Sequence, residues 1–250
     1  MAVPSPDLAS LKLLGHRVRP VTGADQRLLP VPEALSRLLP YGGLQRGSLV
    51  ATGGSAASSL ALALVGPVTQ VGSWVAVVGL GRLGLLAANE LGVDLERVLV
   101  ITDPGPAKWA ATVAALSDAV EVVLARPPRP VPTGIQRRLT ARARERGSVI
   151  MQVGGATALW ANAPDLVVTA DTVSWQGVGD GHGHLQSRQV EVSVSGRRGA
   201  NRPRRSRFWL PGPNAQMAPV ASLAPAPVLT SPLLDRVDRV DRVEPVREAG

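Results

Sequence analysis

The sequence predicts an α/β fold, in which helices flank a mainly parallel β-sheet that carries antiparallel strands at one edge. Two patterns point to this class. Short apolar runs alternate with helix-like segments up to about residue 165, and the links between them are short. After that point, four strand-like runs follow one another with no helix between them. The alternation predicts right-handed βαβ units, and the uninterrupted strands predict an antiparallel extension.

The parallel part of the sheet is predicted from five short apolar runs, a pattern typical of strands buried on both faces. These runs are Ser48–Thr52, Trp74–Val78, Val98–Ile101, Val120–Ala125 and Ser148–Val153. Four predicted helices separate them: Ser58–Val65, Leu83–Leu91, a helix with Trp109, Val113 and Leu116 on one face, and Gly134–Arg146. Gly92 and Gly147 follow the second and fourth helices, where a glycine ends a helix most easily.

The antiparallel part is predicted from Leu166–Thr169, Val173–Gln176, Gln189–Ser195 and Arg204–Leu210. Within the third run, valines alternate with polar residues, as in a strand with one face half exposed. We therefore divide the chain into an N-terminal arm (1–34, with one short helix around Leu8–Leu14), a core domain (35–210) and a tail (211–250). The tail is rich in Pro and Ala and ends in an Asp-Arg-Val repeat, which predicts disorder. The tail either folds on a partner or carries no selected function.

Composition limits the classes of site and location. Hydrophobic residues make up 45% of the chain, which is enough for a sizeable core. The absence of cysteine excludes disulfides and thiolate metal sites and suits a reducing cytoplasm. Residues 1–10 lack a signal-peptide pattern, and the longest apolar stretch, Leu60–Val68, is too short to span a membrane. His182 and His184, with only Asp180 nearby, do not predict a metal site. We expect a cytoplasmic protein with no membrane contact and no metal or other cofactor.

The formal net charge is +8 and is carried almost wholly by arginine, since Lys12 and Lys108 are the only lysines. A GC-rich genome explains arginine over lysine but not the excess of positive charge. Two clusters hold much of this charge: Arg137, Arg138, Arg142, Arg144 and Arg146 in one predicted helix, and Arg197, Arg198, Arg202, Arg204, Arg205 and Arg207 beside Phe208 and Trp209. They are either solvated surfaces that protect a helix face and a sheet edge, or contacts for DNA or a protein partner.

The turn after the first core strand lies where an α/β protein can carry a phosphate-binding loop. The working loop, G-x-x-x-x-G-K-[ST], cradles phosphates with backbone N–H groups, a lysine and a hydroxyl that holds Mg²⁺. Here the segment is Ala-Thr-Gly-Gly-Ser-Ala-Ala-Ser, residues 51–58. Gly53, Gly54 and Ser55 form the turn, Ala57 occupies the lysine position, and only Ser58 keeps its residue type. The loop is therefore degenerate and is not expected to bind nucleotide.

Several segments resemble the RecA family in order and spacing. Leu35–Val50, with its Gly-Gly-Leu-Gln-Arg-Gly turn, resembles the RecA segment that leads into the first core strand. Leu91–Val100 is similar to the stretch entering the third strand, and Val120–Ala125 lies where RecA has its Walker B strand. The resemblance covers residues 35–210. Gly179–Leu185 and Arg202–Pro211 look like the ImuA-prime branch, which comprises mutasome accessory proteins of mycobacteria and other actinobacteria.

The resemblance implies an ATPase site whose three main chemical groups are replaced here. Ala57 stands for the P-loop lysine, and Arg126 follows the Walker B strand where an aspartate would organise Mg²⁺. The segment Val78–Gly81 offers no glutamate to activate water. The segments in place of the RecA DNA loops, 127–133 and 154–164, are short, so filament-type binding to single-stranded DNA is not expected.

From this resemblance we expect a non-catalytic scaffold in translesion DNA synthesis and DNA-damage tolerance. The implied partners are an ImuB-like Y-family polymerase homologue and an error-prone DnaE-type polymerase assembly, with self-association or RecA contact also open, and with nucleoid association during DNA damage. Protein contacts are expected through the basic face and residues 190–250. Two alternatives remain at this stage: a DNA-dependent ATPase completed in trans, with Lys108 as the one candidate lysine, and a DNA-binding module that uses the arginine cluster.

Overall fold

The fold is taken from a computed structural model of the 250-residue chain. The structure describes residues 28–81, 83–154, 160, 163–178, 183–197, 200 and 202–220. The predicted helix around Leu8–Leu14, most of the predicted arm and residues 221–250 of the predicted tail lie outside these ranges.

A nine-stranded mixed sheet forms the centre of the fold. Its strands are β3 (Leu49–Gly53), β4 (Val75–Val78), β5 (Val98–Ile101), β6 (Val122–Ala125), β7 (Val149–Val153), β8 (Leu166–Val178), β9 (Gly183–Gly196), β10 (Arg204–Trp209) and β11 (Ala218–Pro219). The spatial order is β11-β10-β9-β8-β3-β7-β6-β4-β5. The pairs from β5 to β8 are parallel, and those from β8 to β11 are antiparallel. The predicted α/β class, with a parallel centre and an antiparallel edge, is confirmed.

Two helical layers bury the parallel strands from both sides. Helices α2 (Ala57–Gln70) and α3 (Leu85–Glu90) pack on one face, and α4 (Gly105–Ser117) and α5 (Thr133–Arg146) pack on the other. The apolar run Leu60–Val68 lies inside α2, where nearly every residue is buried. Within the part of the chain that the structure describes, no helix is long and apolar enough to cross a membrane.

A small substructure precedes the main sheet and was not predicted from the sequence. Strands β1 (Leu28–Leu29) and β2 (Leu44–Gln45) pair in antiparallel fashion, with the short helix α1 (Glu33–Ser36) between them. Leu29, Leu35 and Leu44 are buried in the core on the α2 side of the sheet. This segment therefore closes one end of the α2 core, and part of the predicted arm belongs to the fold.

The antiparallel region differs from the prediction in two respects. The predicted strands Leu166–Thr169 and Val173–Gln176 are parts of one strand, β8, because a register shift between Thr172 and Ser174 absorbs an extra residue while pairing with β9 continues. The sheet also continues past Leu210, where the tail was predicted to begin, since β11 pairs with β10.

Candidate functional site at the carboxyl edge of the sheet

The degenerate loop lies at the edge of the sheet where the parallel strands have their carboxyl ends. There it is next to two other strands, β7 and β8. The loop follows β3, which lies between β7 and β8 in the sheet. Ligands of open α/β sheets bind at this edge, in the crevice outside the strand ends. The groups around the loop therefore determine what the site can hold.

Strand β8 already accepts hydrogen bonds from two backbone N–H groups of the loop. The backbone N–H of Ser55 donates to Asp171 Oδ1 over 3.1 Å, and the N–H of Ala56 donates to the carbonyl oxygen of Ala170 over 2.9 Å. Ser55 Oγ lies 3.0 Å from Thr172 Oγ1 and accepts the N–H of Thr172 over 2.8 Å. In a phosphate-binding loop such N–H groups point at the anion. Here a carboxylate and a carbonyl of the protein take that place.

Gly54 permits this close approach of the loop to β8. Its φ is +85°, a conformation that L side chains rarely adopt, and a Cβ at this position would overlap the carbonyl oxygen of Ala170. The glycine is thus required by the contact with β8.

Arg126, the first residue after β6, reaches the start of α2. Its Nε donates to the carbonyl oxygen of Val153 over 3.1 Å, and its NH2 lies 3.4 Å from Ser58 Oγ. Ser58 is the residue whose hydroxyl would hold Mg²⁺ in a working loop, and here it faces a guanidinium. A fixed positive charge at this distance repels a divalent cation.

The cavity beside the loop is small and has no carboxylate in its lining. Its volume is about 260 Å³. It is lined by Gly54, Ser55, Ala56, Ala57, Ser58, Ser59, Arg126 and Gly154. Within the described residues, no group of three or more His, Cys, Asp and Glu side chains is placed to hold a metal ion. The residues present do not fit a Mg·nucleotide, since the N–H groups of Ser55 and Ala56 are bonded to β8 and Ser58, at the metal position, faces Arg126.

The segment after β4, where the RecA resemblance would require a glutamate, begins with a glycine that has no space for a side chain. Gly79 directly follows β4, has a φ of +73°, and donates its N–H to the carbonyl oxygen of Ile101 over 2.9 Å. A Cβ on Gly79 would lie 2.6 Å from the carbonyl oxygen of Arg126. A longer side chain could enter this position only if the backbone around Arg126 moved.

Arg188 is a second guanidinium at the start of α2, and the sequence analysis missed it. Its Nε donates to the carbonyl oxygen of Leu210 over 2.7 Å, and its NH2 lies 3.0 Å from Ser59 Oγ. The guanidinium carbon lies 4.9 Å from the ring centroid of Trp175, and burial lowers the pKa of Arg188. Arg188 thus connects β9 to α2. Its place in the sequence, two residues before the alternating valines of β9, gave no indication of this role.

The arginines of α5 divide between the two flanks of the helix. On the α4 side, Arg142 and Arg146 both pair with Asp118, with Arg146 Nε 3.2 Å from Oδ1. The hydrogen bond to Asp118 raises the pKa of Arg142. On the β8 side, Arg144 lies 3.8 Å from Asp165 Oδ1.

Arg137 also lies on the β8 side of α5, while Arg138 is exposed without an ion pair in the described part of the chain. The predicted helix cluster is therefore not one contiguous surface, because Arg142 is committed to Asp118 on the opposite flank.

The second arginine cluster also divides, because successive residues of β10 point to opposite faces. Arg204 lies on the α2 face, with its NH1 3.5 Å from the carbonyl oxygen of Leu38, and Arg205 and Arg207 lie on the α5 face. Phe208 and Trp209 are both buried, so neither ring is available to stack on a base. Arg197 and Arg202 are exposed; Arg198 lies outside the described residues, as do His182 and Asp180 of the histidine turn.

Comparison with known proteins relates the chain to mycobacterial sequences. A family model described as the MT3502 N-terminal domain matches residues 37–162, which include β3 to β7 and the degenerate loop. Uncharacterized protein Rv3395c of Mycobacterium tuberculosis is 42% identical over 104 residues, which is 40% of this chain and 50% of that protein. The chain thus spans about half the length of the curated relative that it matches.

Proposed function

We propose that this chain, which belongs to the MT3502 N-terminal domain family, is a RecA-like accessory protein of the ImuA-prime type, without catalytic activity, which acts as a scaffold in a translesion mutasome. Its partners in this proposal are an ImuB-like Y-family polymerase homologue and an error-prone DnaE-type polymerase. The protein acts in the cytoplasm, at the nucleoid during DNA damage, and its role is to hold the other components together.

The observation that carries the non-catalytic part is the position of Arg126. The guanidinium contacts Ser58, where a RecA-type ATPase needs a metal-binding hydroxyl, and it comes from the strand end that would supply the metal-organising aspartate. Asp171 and Ala170 accept the N–H groups that a triphosphate would need. The protein's own groups thus take two of the loop's N–H groups and face the metal position, which supports a structural use of the fold.

The fold supports the RecA likeness in a second way. The degenerate loop follows the strand that lies between β7 and β8, so the chain keeps the architecture of a nucleotide-binding α/β protein at the place where it has lost the chemistry. A fold that is kept without its active site still offers surfaces, and the function is proposed to reside there.

The scaffold proposal predicts stable association of the full chain with the ImuB-like homologue in the absence of nucleotide. A chain that ends at Val220 keeps every described strand, and it should bind at least tenfold more weakly, because residues 221–250 belong to the region from which protein contacts are expected. Replacing Arg205 and Arg207 by alanine should change this affinity by less than about threefold. Interferometry with the immobilised homologue measures all three, and absence of binding by the full chain would contradict the proposal.

A further inference from the structure

The cavity beside the degenerate loop has two cationic side chains that the described part of the chain does not neutralise. Arg126 lines the cavity, and Arg188 reaches its rim through the hydroxyl of Ser59. Neither guanidinium forms an ion pair with a carboxylate of the described residues. Arg188 is only 7% exposed, and a charge this deeply buried is normally paired. The cavity therefore has the charge of a site that an anionic group completes.

The carboxylate of Asp171 does not supply this group. Its Oδ1 accepts the N–H of Ser55 over 3.1 Å, and Asp171 neither lines the cavity nor pairs with Arg126 or Arg188. When its charge is nevertheless counted in full, two positive charges and one negative charge leave one positive charge around the loop. The excess thus remains with Asp171 included.

Two hydroxyl groups in the cavity lining have hydrogens to donate to an anionic group. Arg126 donates to Ser58 Oγ and Arg188 donates to Ser59 Oγ, so both serine oxygens act as acceptors. Neither hydroxyl donates its own hydrogen to another described residue. A carboxylate fits two such donors beside a guanidinium, because both of its oxygens only accept hydrogen bonds.

The size of the cavity favours a side chain over a cofactor. Its volume of about 260 Å³ is below the roughly 300–1,000 Å³ of small-molecule pockets. A polyphosphate would also need the N–H groups of Ser55 and Ala56, which are bonded to β8. The aspartate or glutamate side chain of another protein needs neither that space nor those N–H groups.

An exposed tryptophan lies beside the cavity, on the part of β8 that extends past its pairing with β3. This pairing ends at Thr169, and every residue of β8 from Val173 onward is exposed. Trp175 is 45% exposed, and its ring centroid lies 4.9 Å from the guanidinium carbon of Arg188. Arg188 thus joins Trp175 to the cavity rim at Ser59. Tryptophans are common anchors of protein interfaces, and exposed apolar groups such as Trp175 and Val173 mark such surfaces.

We propose that the cavity and Trp175 together bind a segment of a partner protein in which an aspartate or glutamate stands beside an apolar residue. The carboxylate enters the cavity, where it pairs with Arg126 and accepts hydrogen bonds from Ser58 and Ser59. The apolar residue packs on Trp175. This inference rests on the proposed scaffold function, because we assign the segment to the ImuB-like homologue. It deepens that proposal by giving the replaced ATPase site a role in partner binding.

The first test is interferometry of the full chain against the immobilised ImuB-like homologue. Arg126→Gln removes the charge but keeps an amide that can donate to the carbonyl oxygen of Val153, and it should weaken binding at least about tenfold. Trp175→Ala should also weaken binding at least about tenfold, whereas Trp175→Phe keeps an aromatic ring and should stay within about threefold of the wild type.

The matched controls are Arg97→Gln and Val71→Ala. Arg97 also donates to a backbone carbonyl and packs on a tryptophan, but it directly precedes β5. Val71 is 65% exposed and follows α2 at the end away from the cavity. Both controls should bind within about twofold of the wild type, since neither lies at the cavity. Thermal unfolding verifies that every variant is folded.

The second test detects the partner carboxylate itself. Arg126→Lys keeps the positive charge and should bind within about fivefold of the wild type. In the complex, a carbodiimide should couple the introduced amine to the partner carboxylate as an amide, while the reagent takes up the water and leaves as a urea. Because Lys12 and Lys108 are the only lysines of the wild-type chain, mass spectrometry can assign coupling at position 126 against a low background.

The outcomes separate this inference from the scaffold proposal. If the wild type binds and Arg126→Gln and Trp175→Ala bind equally well, the cavity is not the docking site, although the scaffold proposal stands. An equal loss of affinity in Arg97→Gln, or no coupling at position 126 in Arg126→Lys, also overturns the inference alone. Absence of binding by the wild type overturns both proposals, because the segment is assigned to that partner.

Discussion

Replacing Gly54 by alanine should lower the free energy of unfolding by about 3 kcal/mol. A non-glycine residue at a φ of +85° costs about 1–2 kcal/mol, and a Cβ there overlaps the backbone of Ala170, which adds about 1–3 kcal/mol of overpacking. The alanine pushes the loop off β8, so the hydrogen bonds that Ser55 and Ala56 donate to β8 should weaken with it. Chemical denaturation measures the change in stability.

Gly72 provides a matched control for this substitution. Its φ is also +85°, but nothing lies within 4 Å of a Cβ built there. Gly72→Ala should therefore cost only the conformational part, about 1–2 kcal/mol. Equal losses of stability in the two variants would contradict the close contact between the loop and β8.

Replacing Asp165 by alanine should lower the free energy of unfolding by about 2–3 kcal/mol. Its half-buried carboxylate accepts the N–H of Leu49, the first residue of β3, and lies 3.8 Å from Arg144. Its own N–H donates to the carbonyl oxygen of Leu49. The alanine leaves a buried N–H without its charged acceptor, and hydrogen bonds to charged groups contribute about 1.5–3 kcal/mol. Thermal and chemical unfolding both report this loss.

Asp103→Ala is the control for Asp165→Ala. Asp103 is exposed, and its Oδ1 accepts only the N–H of Gly105 over 2.8 Å in the described chain. Water can replace that acceptor, so the cost should stay below about 1 kcal/mol. A stability loss no larger than that of Asp103→Ala would contradict the structural role of Asp165.

The parallel half of the fold could be predicted because its pattern is local. The strands Val75–Val78 and Val98–Ile101 are short apolar runs. The second strand has its predicted bounds, and the first was predicted to start one residue earlier. Gly147 ends α5 with a φ of +70°, as expected for a glycine after a helix. Strand β8 was split in the prediction because its register shift at Thr172 interrupts the polar–apolar pattern without interrupting the pairing.

Only the residues that replace the expected catalytic groups of the candidate site could be predicted from the sequence. Ala57 and Arg126 were identified from their places relative to strands, since these places depend on local order along the chain. The contact of Ser55 with Asp171 joins residues 116 positions apart, and no local pattern encodes it. The burial of Arg188 likewise depends on how β9 meets α2.

The two arginine clusters were identified from their density in the sequence, each as either a solvated surface or a contact for DNA or a partner. The structure divides each of them by geometry: opposite flanks of α5 in one case, opposite faces of β10 in the other.

Calorimetric titration of the full chain with Mg·ATP, with a hydrolysis assay beside it, tests the central claim most directly. We expect no binding at millimolar nucleotide and no turnover, with or without single-stranded DNA, because Arg126 faces Ser58 and the loop amides are bonded to β8. Micromolar binding, or hydrolysis above the blank, would contradict this account and identify the chain as a nucleotide-driven protein.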